Sequence, residues 1–262
     1  MNTVREPMTI PNTHRLVTIL LAVGMTMMLL APVAHGDDGD VAELRERLQA
    51  VDPNFEPDEI RPTPVDGLFE VVSGANVFYV TADGRFMLRG QVIDLENNRN
   101  LTAERQQQLV RRQIESVGED NMLVYKPSEG PVRHSITVFT DTTCPYCRQL
   151  HLGLMDMVEQ YPVEVRYLLF PRAGLGARSA DTMRNVWCAA DPQEAMTAAK
   201  TGGQVAQRSE SCETPIAQHY NLGRRIGISG TPWMLVDDQV VPGYRANEKL
   251  LRMMGLDSPS ED

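Results

Sequence analysis

Apolar and polar positions change rhythm along this chain, and each change marks an element. Val41, Leu44 and Leu48 recur at helical spacing within residues 41–48, which predicts a short amphipathic helix there. Residues 61–65 read Arg-Pro-Thr-Pro-Val and are expected to be extended, since each proline restricts the residue before it. Strand-forming runs follow at 68–72, 75–81 and 85–88, with Asp83-Gly84 between the last two. Such a dipeptide between β-rich runs is a hairpin signal, because tight hairpin turns need positive φ. A helix and a few strands in some 60 residues make a small unit with little core, of a kind that often depends on a partner surface.

Residues 102–117 are dominated by strong helix formers, with a thin apolar face of Leu109, Val110, Ile114 and Val117. Thr102 is the expected N-cap and Gly118 the stop, so this helix reads as a rod linking two folded segments. Beyond it the pattern alternates. Strands are expected at 134–140 and 163–170, the second apolar enough for a sheet interior, with a helix over 145–161 between them. Residues 178–225 are mainly helical with a break at Gly202-Gly203. A hairpin turns at Asp237-Asp238 between 233–236 and 239–241, and a helix closes over 247–254. The order β-α-β-α-β-β-α implies helices covering a mixed sheet.

The first forty residues differ from the rest. Arg5 and Arg15 precede an apolar run over 16–30, then Pro32, the small-residue exit Ala34-His35-Gly36, and Asp37-Asp38. These are the parts of a secretory signal peptide, placed at 1–36. The rival is an uncleaved anchor, since the run to Val33 approaches the roughly 20 residues that span a bilayer. Both readings place the protein outside the cytoplasm. The net charge of −10 argues against a nucleic-acid partner, because phosphate binding needs a basic face.

All four cysteines lie beyond position 140, and an even count in an exported chain favours disulfides over metal sites. Cys144 and Cys147 form a C-x-x-C around Pro145 and Tyr146, directly after a strand and opening a helix. Pro145 suits the first helical position, where its missing N–H costs nothing. Cys144 then sits at the positive end of the helix dipole, which favours a thiolate, the attacking species in disulfide exchange. Cys147, one turn inside and more buried, is expected to act second. A structural disulfide or half a zinc site is the alternative, with His151 one turn on as a third ligand; structural zinc normally needs four. Neither a metal nor a cofactor is expected. Cys188 and Cys212, if bonded, would close a loop of about 25 residues worth roughly 3 kcal/mol.

Cys144-Pro145-Tyr146-Cys147 after a strand, with Gly230-Thr231-Pro232 before a later one, resembles the thioredoxin fold. The likeness is closer to periplasmic disulfide isomerases of the DsbC/DsbG type. It is carried by the run Val138-Phe139-Thr140-Asp141-Thr142-Thr143-Cys144 and by Arg166-Tyr167-Leu168-Leu169-Phe170-Pro171-Arg172. Trp187-Cys188-Ala189, Ala217-Gln218-His219-Tyr220-Asn221-Leu222-Gly223, Val240-Val241-Pro242-Gly243-Tyr244 and the stretch from Ile60 through the first hairpin extend it over nearly the whole chain after the signal.

The resemblance implies an α+β N-terminal dimerisation domain (37–99), a linker helix (100–118) and an α/β thioredoxin-like catalytic domain with a helical insertion (119–258). It implies a V-shaped homodimer with an uncharged cleft, Cys144 and Cys147 as catalytic residues, and Pro145, Tyr146, Thr231 and Pro232 facing substrate. Pro232 would be cis, Thr231 would pair with an extended substrate segment, and Cys188–Cys212 would be a structural disulfide. The implied function is periplasmic interchange, isomerising or reducing incorrect disulfides in misfolded exported proteins, with possible chaperoning. A membrane reductase of the DsbD type would keep the pair reduced. The Pro-Tyr dipeptide follows the DsbG branch, whereas Gly230-Thr231-Pro232 follows the DsbC branch. The alternatives are therefore a reductase of oxidised single cysteines and a non-enzymatic holding chaperone.

Overall fold

The computed structural model describes residues 38–207 and 211–256; the expected signal at 1–36 lies outside the described residues. Helix α1 (Asp38–Val51) precedes an antiparallel sheet of β1 (Glu59–Pro62), β2 (Leu68–Ser73), β3 (Asn76–Thr81) and β4 (Met87–Leu88), arranged in that order. The hairpin at Asp83-Gly84 forms, with Gly84 at φ 68° and Tyr79 paired to Leu88. Strands β2 and β3 are buried along nearly their whole length. The reason is that both faces of the sheet are covered. Phe69, Val71, Phe78 and Val80 pack with Leu44 and Leu48 of α1, while Val72, Val77 and Tyr79 on the other face pack with Leu109.

Leu109 belongs to α2 (Leu101–Glu115), which follows a small ribbon of β5 (Ile93–Asp94) and β6 (Arg99–Asn100). This helix is not a bare rod. Successive positions of its thin apolar stripe serve two cores, since Val110 and Ile114, with Val117 beyond the helix end, join a cluster around Phe139 and Trp233. Its N-cap is Asn100, whose side chain accepts the amide of Ala103, and not Thr102. Thr102 is buried one residue inside the helix, hydrogen-bonded to the Tyr79 hydroxyl and accepting the Val92 amide at 2.8 Å. Arg105, 2% exposed, forms ion pairs with Glu70 and Glu59 from the sheet.

The second sheet has the order β11-β10-β8-β9-β7. Its strands are β7 (Leu123–Tyr125), β8 (His134–Thr140), β9 (Val163–Leu169), β10 (Trp233–Val236) and β11 (Gln239–Pro242). The pair β8–β9 is parallel and the remaining pairs are antiparallel. Parallel neighbours need a crossover, here α3 (Pro145–Gln160). Helices α4 (Arg178–Trp187), α5 (Pro192–Thr201) and α6 (Ile216–Arg225) fill the stretch between β9 and β10, and α7 (Asn247–Met253) closes the chain. Strand alternation sends Ile136, Val138, Val163, Val165, Tyr167 and Leu169 into one core with α3, α4, α5 and α7. Phe139 and Leu168 go to the opposite core with α2 and α6. The mixed sheet with helices on its faces is therefore as expected, with β7 added at an edge. The turn after β10 also forms as expected, with Asp237 at φ 49° and Val236 paired to Gln239.

Residues Cys188 and Cys212 are disulfide-bonded, tying the C-cap of α4 to the segment before α6. On α6, Gly223 lies against aromatic rings; an added Cβ would sit 2.5 Å from Phe170 Cε2 and 3.4 Å from Phe139 Cδ1. Those rings pack edge to face in the core and have little room to yield. Gly223→Ala is expected to destabilise the protein by about 1–3 kcal/mol, read as a lower thermal midpoint with the Cys188–Cys212 bond intact.

Candidate active site

Strand β8 ends at Thr140, and the chain turns through Asp141, Thr142 and Thr143 into α3. The buried carboxylate of Asp141 shapes this turn. Its Oδ1 accepts the Thr143 amide (2.8 Å) and hydroxyl (2.7 Å), while Oδ2 accepts the Arg172 amide (2.9 Å) and Nε (3.5 Å). A short acceptor bonding its own backbone two residues on sets such turns. The Asp141 carbonyl accepts the Cys144 amide at 3.2 Å, and Arg148 Nε bonds the Thr142 carbonyl at 3.2 Å. The segments after β8 and β9 are thus fixed to each other beside the first turn of α3.

Cys144 is the N-cap of α3 and Pro145 its first residue, as the sequence predicts. Its sulfur accepts the Cys147 amide at 3.4 Å, and its S–H donates to the Thr231 carbonyl at 3.3 Å. The Thr231–Pro232 bond is cis. Burial alone would push the Cys144 thiol up; the Thr231 side chain, the thiol and amide of Cys147, and the charge of Arg172 outweigh it, leaving the thiol below its ordinary value. Burial dominates at Cys147 and pushes that thiol up. Exposure does not separate the two as expected, since Cys144 is 2% and Cys147 1% exposed; their electrostatic surroundings do. Both are unbridged thiols. The buried Thr231 hydroxyl lies beside both sulfurs and favours the thiolate at each.

Around this pair the surface is aromatic. Tyr146 is 61% exposed and its ring lies 6.1 Å from that of Tyr244. Pro145 is exposed beside it, Thr231 half-buried and Pro232 buried. These four sequence-predicted residues therefore gather at one place with Cys144 and Cys147, and Tyr244 joins them. His151 does not serve as a ligand. It is fully buried, with Nδ1 at 2.9 Å from the Tyr167 hydroxyl and Nε2 at 3.1 Å from Thr197 Oγ1. Burial, and secondly Lys200, hold its pKa down to about 4. Among the described residues no group of three or more His, Cys, Asp or Glu side chains is placed to hold a metal.

Four residues here were not singled out as site residues from sequence: Asp141, Arg172, Lys200 and Tyr244. Asp141 and Arg172 lie within the runs that carry the resemblance, and their pairing across 31 positions is invisible to any local pattern. Lys200 carried a signal, since with Met196 it falls at the helical spacing of a buried face.

Residues 35–103 match the family described as "Disulfide bond isomerase protein N-terminal domain", and residues 124–256 match "Thioredoxin-like domain". The thiol:disulfide interchange protein DsbC of Dickeya dadantii is 34% identical over 229 residues, covering 87% of this chain and 90% of that protein. That of Salmonella typhimurium is 37% identical over 220 residues, covering 83% and 87%. Among solved structures, the catalytic domain of Proteus mirabilis ScsC aligns with a TM-score of 0.46 at 22% identity, covering 57% of this chain and 96% of that one. Matched by relatives above 30% identity over most of both lengths, the chain belongs to the DsbC family of thiol:disulfide interchange proteins.

Proposed function

We propose that this protein isomerises and reduces incorrect disulfides in exported proteins, with Cys144 as the attacking sulfur and Cys147 as the resolving one. The observation that carries this assignment is that Cys144 caps α3 with its sulfur on the Cys147 amide while Cys147 lies one turn inside the helix, surroundings that displace the first thiol downward and the second upward. At neutral pH the first is the more readily available nucleophile, and the thiolate is the reacting form. It attacks a substrate disulfide, forms a mixed disulfide and releases one substrate thiolate. That thiolate attacks elsewhere in the substrate and frees Cys144, which is isomerisation. Alternatively Cys147 displaces the substrate and forms the Cys144–Cys147 disulfide, which is reduction.

Thr231 supports substrate docking from the same place. In the free protein its carbonyl accepts the Cys144 S–H. An extended substrate segment pairing with that carbonyl by strand addition would take over the acceptor and leave the sulfur free to ionise. Tyr146, Pro145 and Tyr244 supply an apolar border for the segment. Because each reduction leaves the pair oxidised, the cycle needs an electron donor, a membrane reductase of the DsbD type. The basic, apolar and small-residue succession at 1–36 supports export to the periplasm, and among the described residues no helix is long and apolar enough to cross a membrane.

A homodimer fits the first sheet. Its β4 edge is flanked by exposed Phe86, Met87, Leu88, Ile93 and Leu95. An open, apolar strand edge is a template for pairing with a second copy, and that assignment joins two exchange sites on one particle.

Cys144→Ala is expected to reduce isomerisation of a scrambled multi-disulfide protein to background, whereas Cys147→Ala accumulates the mixed disulfide; retained activity in Cys144→Ala would sink the assignment. Alkylation of Cys144 against pH, followed in Cys147→Ala, should have its midpoint below the ~8.5 of a free cysteine. Arg172→Met should move that midpoint upward, because it removes a positive charge that favours the thiolate. Met87→Asp should convert the sedimenting species from dimer to monomer and leave the Cys144 alkylation midpoint unchanged.

A further inference from the structure

Beside the exchange pair lies a buried charge that the cycle above does not use. Lys200 lies on the buried face of α5 with Met196 and Ala199, and it is 2% exposed. Its Nζ donates to Thr140 Oγ1 at 2.6 Å and to the Asp141 carbonyl at 2.9 Å. Both partners are neutral oxygens. The nearby Asp141 carboxylate is already engaged by Thr143 and Arg172. An ammonium buried without a directly bonded counter-ion is costly, so the groups around it decide what it is for.

From the loop it faces Asp141; from α3 it faces Cys144, Cys147, Arg148 and His151. Next to Cys147 stands Tyr167 of β9, and next to Cys144 stands Arg172 from the loop after β9. Arginines cannot balance a positive charge, the tyrosine is held well above its ordinary pKa by full burial, and the histidine is neutral. The Asp141 carboxylate shares its charge with Arg172, and the further groups that can become anionic are the two sulfurs. Asp141 links the parts, its carbonyl accepting both the Cys144 amide at 3.2 Å and the Lys200 ammonium at 2.9 Å.

We propose that Lys200 is a positioning residue for the second half of the exchange, the counter-charge of the Cys147 thiolate, and that it sets how readily a captured substrate is released by reduction. The proposal rests on the assignment of Cys144 and Cys147 made above. Burial pushes Lys200 down to about 8 against the opposing pull of Cys147 first, then of Asp141 and Cys144. At Cys147, where burial raises the thiol, Lys200 is the largest of the influences that lower it.

The step balances as follows. In the mixed disulfide Cys144 Sγ is bonded to a substrate sulfur, and Cys147 gives its proton to solvent beside the Lys200 ammonium. The Cys147 thiolate attacks Cys144 Sγ; the Cys144–Cys147 bond forms and the bond to substrate breaks. The leaving electron pair stays on the substrate sulfur, which takes a proton from water. Over the full cycle the substrate disulfide gains two electrons and two protons, and the cysteine pair loses them. A lower barrier to Cys147 ionisation shortens the life of the mixed disulfide, and with it the time in which the substrate can rearrange.

The test uses Lys200→Met and Lys200→Gln, the second keeping a hydrogen-bond donor without the charge. In a Cys144→Ala background, ultraviolet absorbance of the thiolate against pH reads Cys147 directly. Both variants should raise its midpoint by about one pH unit or more. With both cysteines present, decay of the mixed disulfide with 2-nitro-5-thiobenzoate is followed by release of the chromophore. At pH 7 it should slow roughly threefold per unit, because tenfold less thiolate is partly offset by a more nucleophilic sulfur. The slowing should vanish above both midpoints, which loss of packing would not produce. An unmoved Cys147 midpoint in either folded variant overturns the proposal, as does a slowing equal at every pH. Activity surviving in Cys144→Ala would instead strike the assignment of the pair.

Discussion

The site depends on where one carboxylate is spent. Asp141 uses both oxygens to hold the turn after β8 against the segment after β9, and its carbonyl holds the Cys144 amide. The first turn of α3 is thereby aimed so that the Cys144 sulfur lies between the Cys147 amide and the Thr231 carbonyl. That sulfur is more acidic than a free thiol although it is buried, a combination that requires specific partners, because burial by itself favours the neutral form. The same carboxylate, engaged by Thr143 and Arg172, makes no direct bond to Lys200, whose ammonium hydrogen-bonds neutral oxygens. A buried positive charge therefore lies near both the carboxylate and the two sulfurs.

The two thiols differ in these surroundings and not in accessibility. Both side chains are almost wholly covered. One has a helix N-terminus, a hydroxyl and an arginine; the other has deeper burial offset by a lysine. The rings of Tyr146 and Tyr244 add an uncharged aromatic border beside the pair.

Much of this was legible in the sequence where the information was local. A proline at the first helical position, a strand ahead of it and a two-residue turn at Asp237-Asp238 each announce themselves within a few residues, and each was found where expected. Strand β7 was missed because three residues are too few to show a period. How deeply α2 is embedded is hidden from a local pattern, because a stripe of four apolar residues looks thin until it is divided between two cores, and because Arg105 is buried by partners 35 and 46 positions away. Thr102 was taken for a cap because its residue type suits that place, while its hydroxyl is claimed by Tyr79. Lys200 and Asp141 were passed over for the same reason, their meaning lying in what crosses the fold.

The bond between Cys188 and Cys212 has a consequence for how this protein comes into being. Four cysteines admit three complete pairings, and only one of these leaves Cys144 facing Cys147. A chain that closed either of the others would forfeit its clasp and its free pair together, and would itself carry the kind of mispaired bond that thiol:disulfide interchange undoes.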